Sequence, residues 1–393
     1  LEDDKQFIVE CRDSYTRNLL DDIVPFWMRH GIDREYGGIG NILDDEGNIL
    51  GHDKYLWSQG RALWTFSALY NRVEQRPEWL EFAHHIHAYL STHGRDENGR
   101  WMYRLDKEGN IVERDTSIYV DGFVMGGLAE YSVAAKQPAA LELALKTYDS
   151  IQSLLAKPGS YATAPYAVPA GMKVHGVSMI FSFFFYNLGE IAGRPDICEA
   201  GLGHANQILN DFYVEDKDAI LEFVALDGNF VDSPEGRACV PGHAIEALWF
   251  LLSIFERAGK TEDIDKCCRL IRRHLELAWD DERGGLRLAL DIDGREPVYW
   301  QNPDTRAWWV HVEALVATAL AYNHCGEDWC LEWHRRVREY AFAHYPQPGG
   351  EWTQWLDADG NKVASGGLPV KDPFHLPRAL IYLREILGCH VAE

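Results

Sequence analysis

At 393 residues, with 46% hydrophobic and 12% aromatic side chains, the chain has material for a large core and no tract of disordered composition. A formal charge of −23 argues against a nucleic-acid partner, which is bound by neutralising phosphates with Lys and Arg, and against a polyanionic ligand. A small neutral ligand fits better, and 14 Trp and 18 Tyr supply flat rings with polar tips that suit the apolar faces and hydroxyls of a sugar.

Leu1 to Asp22 reads as an amphipathic helix with acidic residues rather than a signal peptide, and no apolar run is long enough to span a membrane. Eight cysteines show neither zinc-type spacing nor a dense disulfide framework and read as reduced thiols, so a cytoplasmic protein is expected. GGIGNILDDEGNIL then opens a pattern of alternating strand, Gly-ended turn and returning strand, the signature of a β-hairpin. Tyr55 to Val73 and Trp79 to Ser91 follow with helical apolar spacing. The first puts Arg61 on the face shared by Trp57, Trp64 and Ala68, where a guanidinium either stacks on indoles or steadies a developing oxyanion. The second holds His84, His85 and His87, then His93, with no carboxylate or Cys spaced to converge on a metal, so no metal site is expected.

The hairpin pattern returns as WMYRLDKEGNIV, LEFVALDGNFV, GGLRLALDIDGREPV and GEWTQWLDADGNKV. Its turn glycines, Gly47, Gly109, Gly228, Gly294 and Gly360, lie 62, 119, 66 and 66 residues apart, so one copy is missing. Residues 157–171, KPGSYATAPYAVPAG, stand in its place. Two helices per repeat over six repeats predict an all-α (α/α)6 barrel, one domain over residues 1–393, with short β-hairpins at the barrel ends. An open solenoid is the alternative.

Three later segments set polar groups where helix packing favours hydrocarbon. In PGHAIEALWFLLSIF, His243 and Glu246 lie three apart on one helical face, and a carboxylate beside an imidazole fixes its tautomer and raises its basicity. In TRAWWVHVEALVATALAY, Glu313 interrupts the stripe of Trp309, Val316 and Leu320, either for pairing with an Arg of a neighbouring helix or for chemistry. In LPVKDPFHLPRALIYL, His375 precedes Pro377 in a first helical turn, whose positive dipole end favours the neutral imidazole that a base requires. No phosphate-binding glycine loop or dinucleotide fingerprint is present.

Together DKYLWSQGRALWTFSALY, PEGRACVPGHAIEALWF, RAWWVHVEALVA and KDPFHLPRAL resemble the N-acylglucosamine 2-epimerase family, which includes N-acetylglucosamine, cellobiose and mannose-acting 2-epimerases. The resemblance implies the (α/α)6 barrel and a ring-opened aldose inverted at C2 through a cis-enediolate, without metal or redox cofactor. It implies that His243 and His375 are the two acid–base histidines, that Arg61 binds near the carbonyl oxygen, that Glu246 supports His243, and that Glu313 is a further essential carboxylate. It also implies sugar contacts from Trp57, Tyr119, His175, Trp308, Trp309 and Lys371, and a possible homodimer. Some relatives bind a nucleotide effector near the loop 157–171, whose sequence offers no phosphate site. Cellobiose epimerases carry a Trp before the lysine of the last block, whereas this chain has Val370, which disfavours a disaccharide. His175 matches the cellobiose- and mannose-acting branch and HVEA at His311 the acetylhexosamine branch, so the sequence leaves N-acetylated and free-hydroxyl sugars both open. Rival functions are an aldose–ketose isomerase moving the same proton, a glycoside hydrolase, for which paired acid and base carboxylates are lacking, and a partner-binding protein.

Overall fold

Helical apolar spacing is realised as twelve helices of 13 residues or more in a computed structural model that describes residues 2–157, 159–363 and 369–389. They form six pairs. The inner members are Leu56–Ala68, Ile118–Ala134, His175–Ala192, Pro241–Arg257, Trp308–Cys325 and His375–Cys389, and most are buried on nearly every face. The outer members, such as Pro138–Leu155 and Ile264–Ala278, bury one stripe and turn a polar face outward. The first helix, Glu2–Arg17, packs on the last, His375–Cys389, so the ring closes by pairing the two ends of the described chain. That closure selects the toroid over the open solenoid.

Short strands stitch each repeat to the next at the end of the ring where the inner helices begin. The segment just before an inner helix pairs antiparallel with the first arm of the following hairpin: Lys54 with Leu105, Val174 with Phe223, Cys239 with Leu290 and Ala307 with Trp355. Where the hairpin is replaced, a single bridge between Ser117 and Thr163 keeps the stitch, and the Lys371 N–H donating to the Asn41 carbonyl at 2.7 Å makes the last one.

The five expected hairpins are therefore only partly hairpins. Ile42–Leu43 pairs with Ile49–Gly51, and Arg104–Leu105 with Ile111–Glu113, as the pattern predicts. The third and fourth patterns lend one strand to the neighbouring repeat instead, and the fifth keeps only a bridge between Leu356 and Lys362. The turns survive in all five, with their glycines at φ between +69° and +88°, a left-handed conformation costly for other residues. First arms such as Phe223–Ala225 face the core, whereas the return arms that do pair, Ile49–Gly51 and Ile111–Glu113, are mostly exposed.

Candidate active site

The stitches bring the first turns of the inner helices around one cavity of about 240 Å³. His243 lies in the first turn of Pro241–Arg257. Gly242 beside it has no room for a side chain, because a Cβ would stand 2.7 Å from the Trp309 indole and from Val310. Trp309 thereby stacks on the His243 ring at 5.1 Å and 28°, and its other neighbour is His375, at 5.6 Å and 37°. One indole thus neighbours both imidazoles, and both border the cavity.

Each imidazole rests Nδ1 on a carboxylate. His243 Nδ1 is 2.9 Å from Glu222 Oε2, and His375 Nδ1 is 2.7 Å from Glu313 Oε1. A carboxylate accepts only, so each Nδ1 carries the hydrogen and each Nε2 is left to take or give a proton. Around His375 two carboxylates share one guanidinium: Arg378 Nη2 donates to Glu246 Oε1 at 2.5 Å and to Glu313 Oε1 at 2.6 Å, while Trp249 Nε1 donates to Glu313 Oε2 at 2.8 Å. Burial opposes the Glu313 carboxylate, but Arg378, and then the His375 hydrogen bond, hold its pKa below the ordinary range. Around His243 no guanidinium intervenes. Burial opposes its imidazolium, but the Glu222 charge and hydrogen bond outweigh that and raise the His243 pKa.

Arg61 reaches the same cavity from Leu56–Ala68. Its guanidinium lies 4.0 Å from the centre of the Phe123 ring, 4.8 Å from Trp57 and 5.3 Å from Phe374. Nη1 donates to Asp372 Oδ1 at 2.8 Å, and Nε is buried without a hydrogen-bond partner among the described residues. Trp308, Tyr119 and Trp57 border the cavity, and Tyr166 of the loop 157–171 meets Trp300 at 5.1 Å on its rim. Two guanidiniums, Arg61 and Arg378, face four carboxylates, Glu222, Glu246, Glu313 and Asp372, so the pocket disfavours an anion.

Three expectations need correction. Glu246 makes no hydrogen bond to His243 and adds only the least of the charges that raise its pKa; it is held on Arg378 and lies 4.0 Å from His375 Nδ1. The residue against His243 is Glu222, from an adjoining strand segment, which same-helix spacing is blind to. Lys371 does not reach the cavity: Nζ donates to Asp45 Oδ1 at 2.6 Å and to the Trp352 carbonyl at 3.0 Å, and the residue anchors the loop before the last helix. His175 stands behind the wall, where Gly176 borders the cavity; burial pushes its pKa down to about 4, so the ring is neutral, and Nε2 has no hydrogen-bond partner among the described residues. His311 also faces away, bonded to the Ala307 carbonyl and the Leu286 N–H.

Sequence reading missed Glu222, Arg378 and Asp372. Asp372 was findable, since Asp before Pro at a helix start is a capping signature. Of the histidine run, His84 bonds Tyr131, His85 the Asp33 carbonyl, and His87 stacks on Tyr131. The metal-type cluster among the described residues is Glu246, Glu313 and His375, within 4.8 Å, and the Arg378 guanidinium already sits on both carboxylates as their cation. No described helix is long and apolar enough to cross a membrane.

Residues 37–379 match the family model for N-acylglucosamine 2-epimerase (GlcNAc 2-epimerase). The N-acylglucosamine 2-epimerase of Mus musculus is 31% identical over 94% of this chain and 90% of its own. Among solved structures, the cellobiose 2-epimerase of Spirochaeta thermophila superposes with a TM-score of 0.85 over 99% of both chains at 22% identity. A D-mannose isomerase gives 0.82 over 95% of this chain and 97% of its own at 19% identity, and both likenesses speak for the barrel alone. Matched through most of its length by the family model and by a relative at that identity, the chain belongs to the N-acylglucosamine 2-epimerase family.

Proposed function

We propose that this isomerase inverts C2 of a neutral monosaccharide, an N-acetylated hexosamine in preference to a free hexose. The observation that carries the reading is the pair of imidazoles on one cavity with Arg61, both beside Trp309 and each with Nδ1 fixed on a carboxylate. With the ring opened to an aldehyde, one imidazole Nε2 takes the C2 proton and the C–H electrons pass to the carbonyl oxygen. Arg61 stabilises the negative oxygen on C1 of the resulting enolate, whose C2 keeps the acetamido group. The second imidazole, protonated, delivers its proton to the opposite face of C2, and no turning of the intermediate is needed.

Cavity size supports a single sugar, since about 240 Å³ lies below the roughly 300–1,000 Å³ of pockets for drug-sized ligands. Val370 on its wall offers no ring on which a second sugar would stack. The apolar wall of Phe123, Met179 and Ile180 suits an acetyl methyl, in line with the N-acylglucosamine 2-epimerases of similar sequence. All eight cysteines are free thiols, which fits a cytoplasmic setting. Incubation with N-acetylglucosamine, N-acetylmannosamine, glucose, mannose and cellobiose, followed by product identification, tests the reading. Interconversion of the two acetylhexosamines is expected; formation of a ketose replaces the epimerase reading with aldose–ketose isomerisation.

A further inference from the structure

Asp372 lies at the junction of two groups that the proposed reaction uses. On one side it caps the last inner helix: Oδ2 accepts the N–H groups of His375 at 2.6 Å and Phe374 at 3.3 Å, with Pro373 next in the chain. The helical ladder starts at that point, as the Arg378 N–H donates to the Phe374 carbonyl at 2.8 Å. On the other side Oδ1 accepts Arg61 Nη1 at 2.8 Å, from a helix 311 residues earlier. Among the described residues Asp372 is the only hydrogen-bond acceptor of Arg61. The rings of Phe123, Trp57 and Phe374 surround the guanidinium, yet ring faces attract a cation without fixing its rotation or slide. A hydrogen bond does fix them.

The carboxylate is 4% exposed, against 14% for its partner, and burial opposes its charge. Arg61, followed by His375, outweighs that burial and keeps it ionised. The pair thus consumes one edge of the guanidinium and leaves the others for substrate, with the buried Nε still without a hydrogen-bond partner among the described residues.

We propose that Asp372 is a positioning residue for proton transfer: one carboxylate aims Arg61 at the carbonyl oxygen and locks the helix end bearing His375 in the same frame. The geometry of oxyanion and acid–base group is then set by a single side chain, and displacement of about 1 Å at such a group costs on the order of 100-fold in rate. This inference rests on the role proposed above for Arg61.

The test is a double-mutant cycle of Asp372→Asn and Arg61→Lys, with turnover of N-acetylmannosamine followed in deuterated water, or of mannose if only that sugar is converted. Asp372→Asn keeps an oxygen for the helix cap but loses the ionic grip on Arg61. Expected is a fall in kcat of about tenfold, KM within about threefold, and an equal fall in deuterium entry at C2. Arg61→Lys alone falls by about 100-fold or more, and adding Asp372→Asn to it lowers turnover less than about twofold further, because the aimed group is already gone. A melting temperature close to wild type accompanies the single Asn variant. Should that variant fail to fold, Asp372→Ser, a helix cap too short to reach Arg61, gives the same reading. Losses that multiply in the double variant, or wild-type kcat in Asp372→Asn while Arg61→Lys is crippled, overturn this proposal alone. Full turnover by Arg61→Lys overturns the role of Arg61 and this proposal together.

Discussion

His243 and His375 are matched in residue type and in the atom each rests on a carboxylate, but their surroundings differ. The carboxylate under His375 belongs to a closed set of Glu246, Glu313 and Arg378, each at most 3% exposed. The carboxylate under His243 has that imidazole as its one strong partner, and the imidazole side chain is 22% exposed. A positive charge on His243 therefore completes an ion pair, whereas one on His375 joins carboxylates that already share a guanidinium. On the proposed reading, chemistry at C2 is served by two electrostatically unequal stations, one imidazole alone on its carboxylate and one whose carboxylate is shared with a guanidinium.

The largest effect that tests the comparison is removal of a station. His243→Asn or His375→Asn is expected to lower epimerisation in both directions by about 10²–10⁴-fold, the usual worth of a positioned acid or base. Deuterium entry at C2 should nevertheless survive in a crossed pattern, one variant exchanging one epimer and the other variant the opposite epimer, as read by NMR. If both variants exchange the same epimer, the division of faces between the histidines is wrong.

Next comes the architecture of the stations. Glu313→Gln leaves His375 facing a neutral amide and weakens one of the two carboxylate contacts of Arg378, which keeps Glu246, at a cost of about 1–3 kcal/mol to the fold. Glu222→Gln, beside a partly exposed imidazole with no guanidinium, should cost visibly less. Equal shifts in denaturation midpoint erase the proposed inequality. Glu222→Gln has a second, smaller signature: without the carboxylate that raises it, the His243 pKa is governed by burial, and the pH–rate limb reporting it moves to lower pH. A limb that stays in place breaks the assignment of Glu222.

The smallest effect concerns the neutral imidazole behind the His243 station. His175 is held near pKa 4 by burial, against 6.5 when unfolded, so above pH 6.5 it costs nothing, and between 6.5 and 4 the unfolded chain binds the extra proton. Stability should fall on acidification through that window, by up to about 1.4 kcal/mol per pH unit for this residue. His274, also held near 4, adds to the slope. Replacing His175 with Gln should flatten it, as measured by denaturation at pH 7 and pH 5, and an unchanged slope removes His175 from the account.

The barrel was legible because a repeat with paired amphipathic helices and recurring glycines records its own period, and ring closure follows from six units. His243, His375, Arg61 and Glu313 were legible because polar groups interrupting apolar helical faces stand out against packing. What stayed hidden was pairing across repeats. Glu222 and His243 are 21 residues apart on different elements, and Glu246 and Arg378 are 132 apart, so intrahelical spacing misassigned Glu246. The hairpins were misread for a similar reason: the turns are local and visible, whereas which strand buries itself beside which is a tertiary choice.

Stitching of the ring end to end has a consequence for how the enzyme comes into being. Asp372, His375 and Arg378 come from the final inner helix and its cap, and their partners Arg61, Glu313 and Glu246 lie 311, 62 and 132 residues earlier. During synthesis the earlier repeats are able to stack on one another as they emerge, each completed by its successor. The cavity acquires its second imidazole, and Arg61 its anchor, only when the last unit docks against the first. Completion of the proposed catalytic centre therefore depends on contacts of high sequence separation, and a ribosome-tethered chain stalled before residue 370 would lack Asp372, His375 and Arg378 altogether.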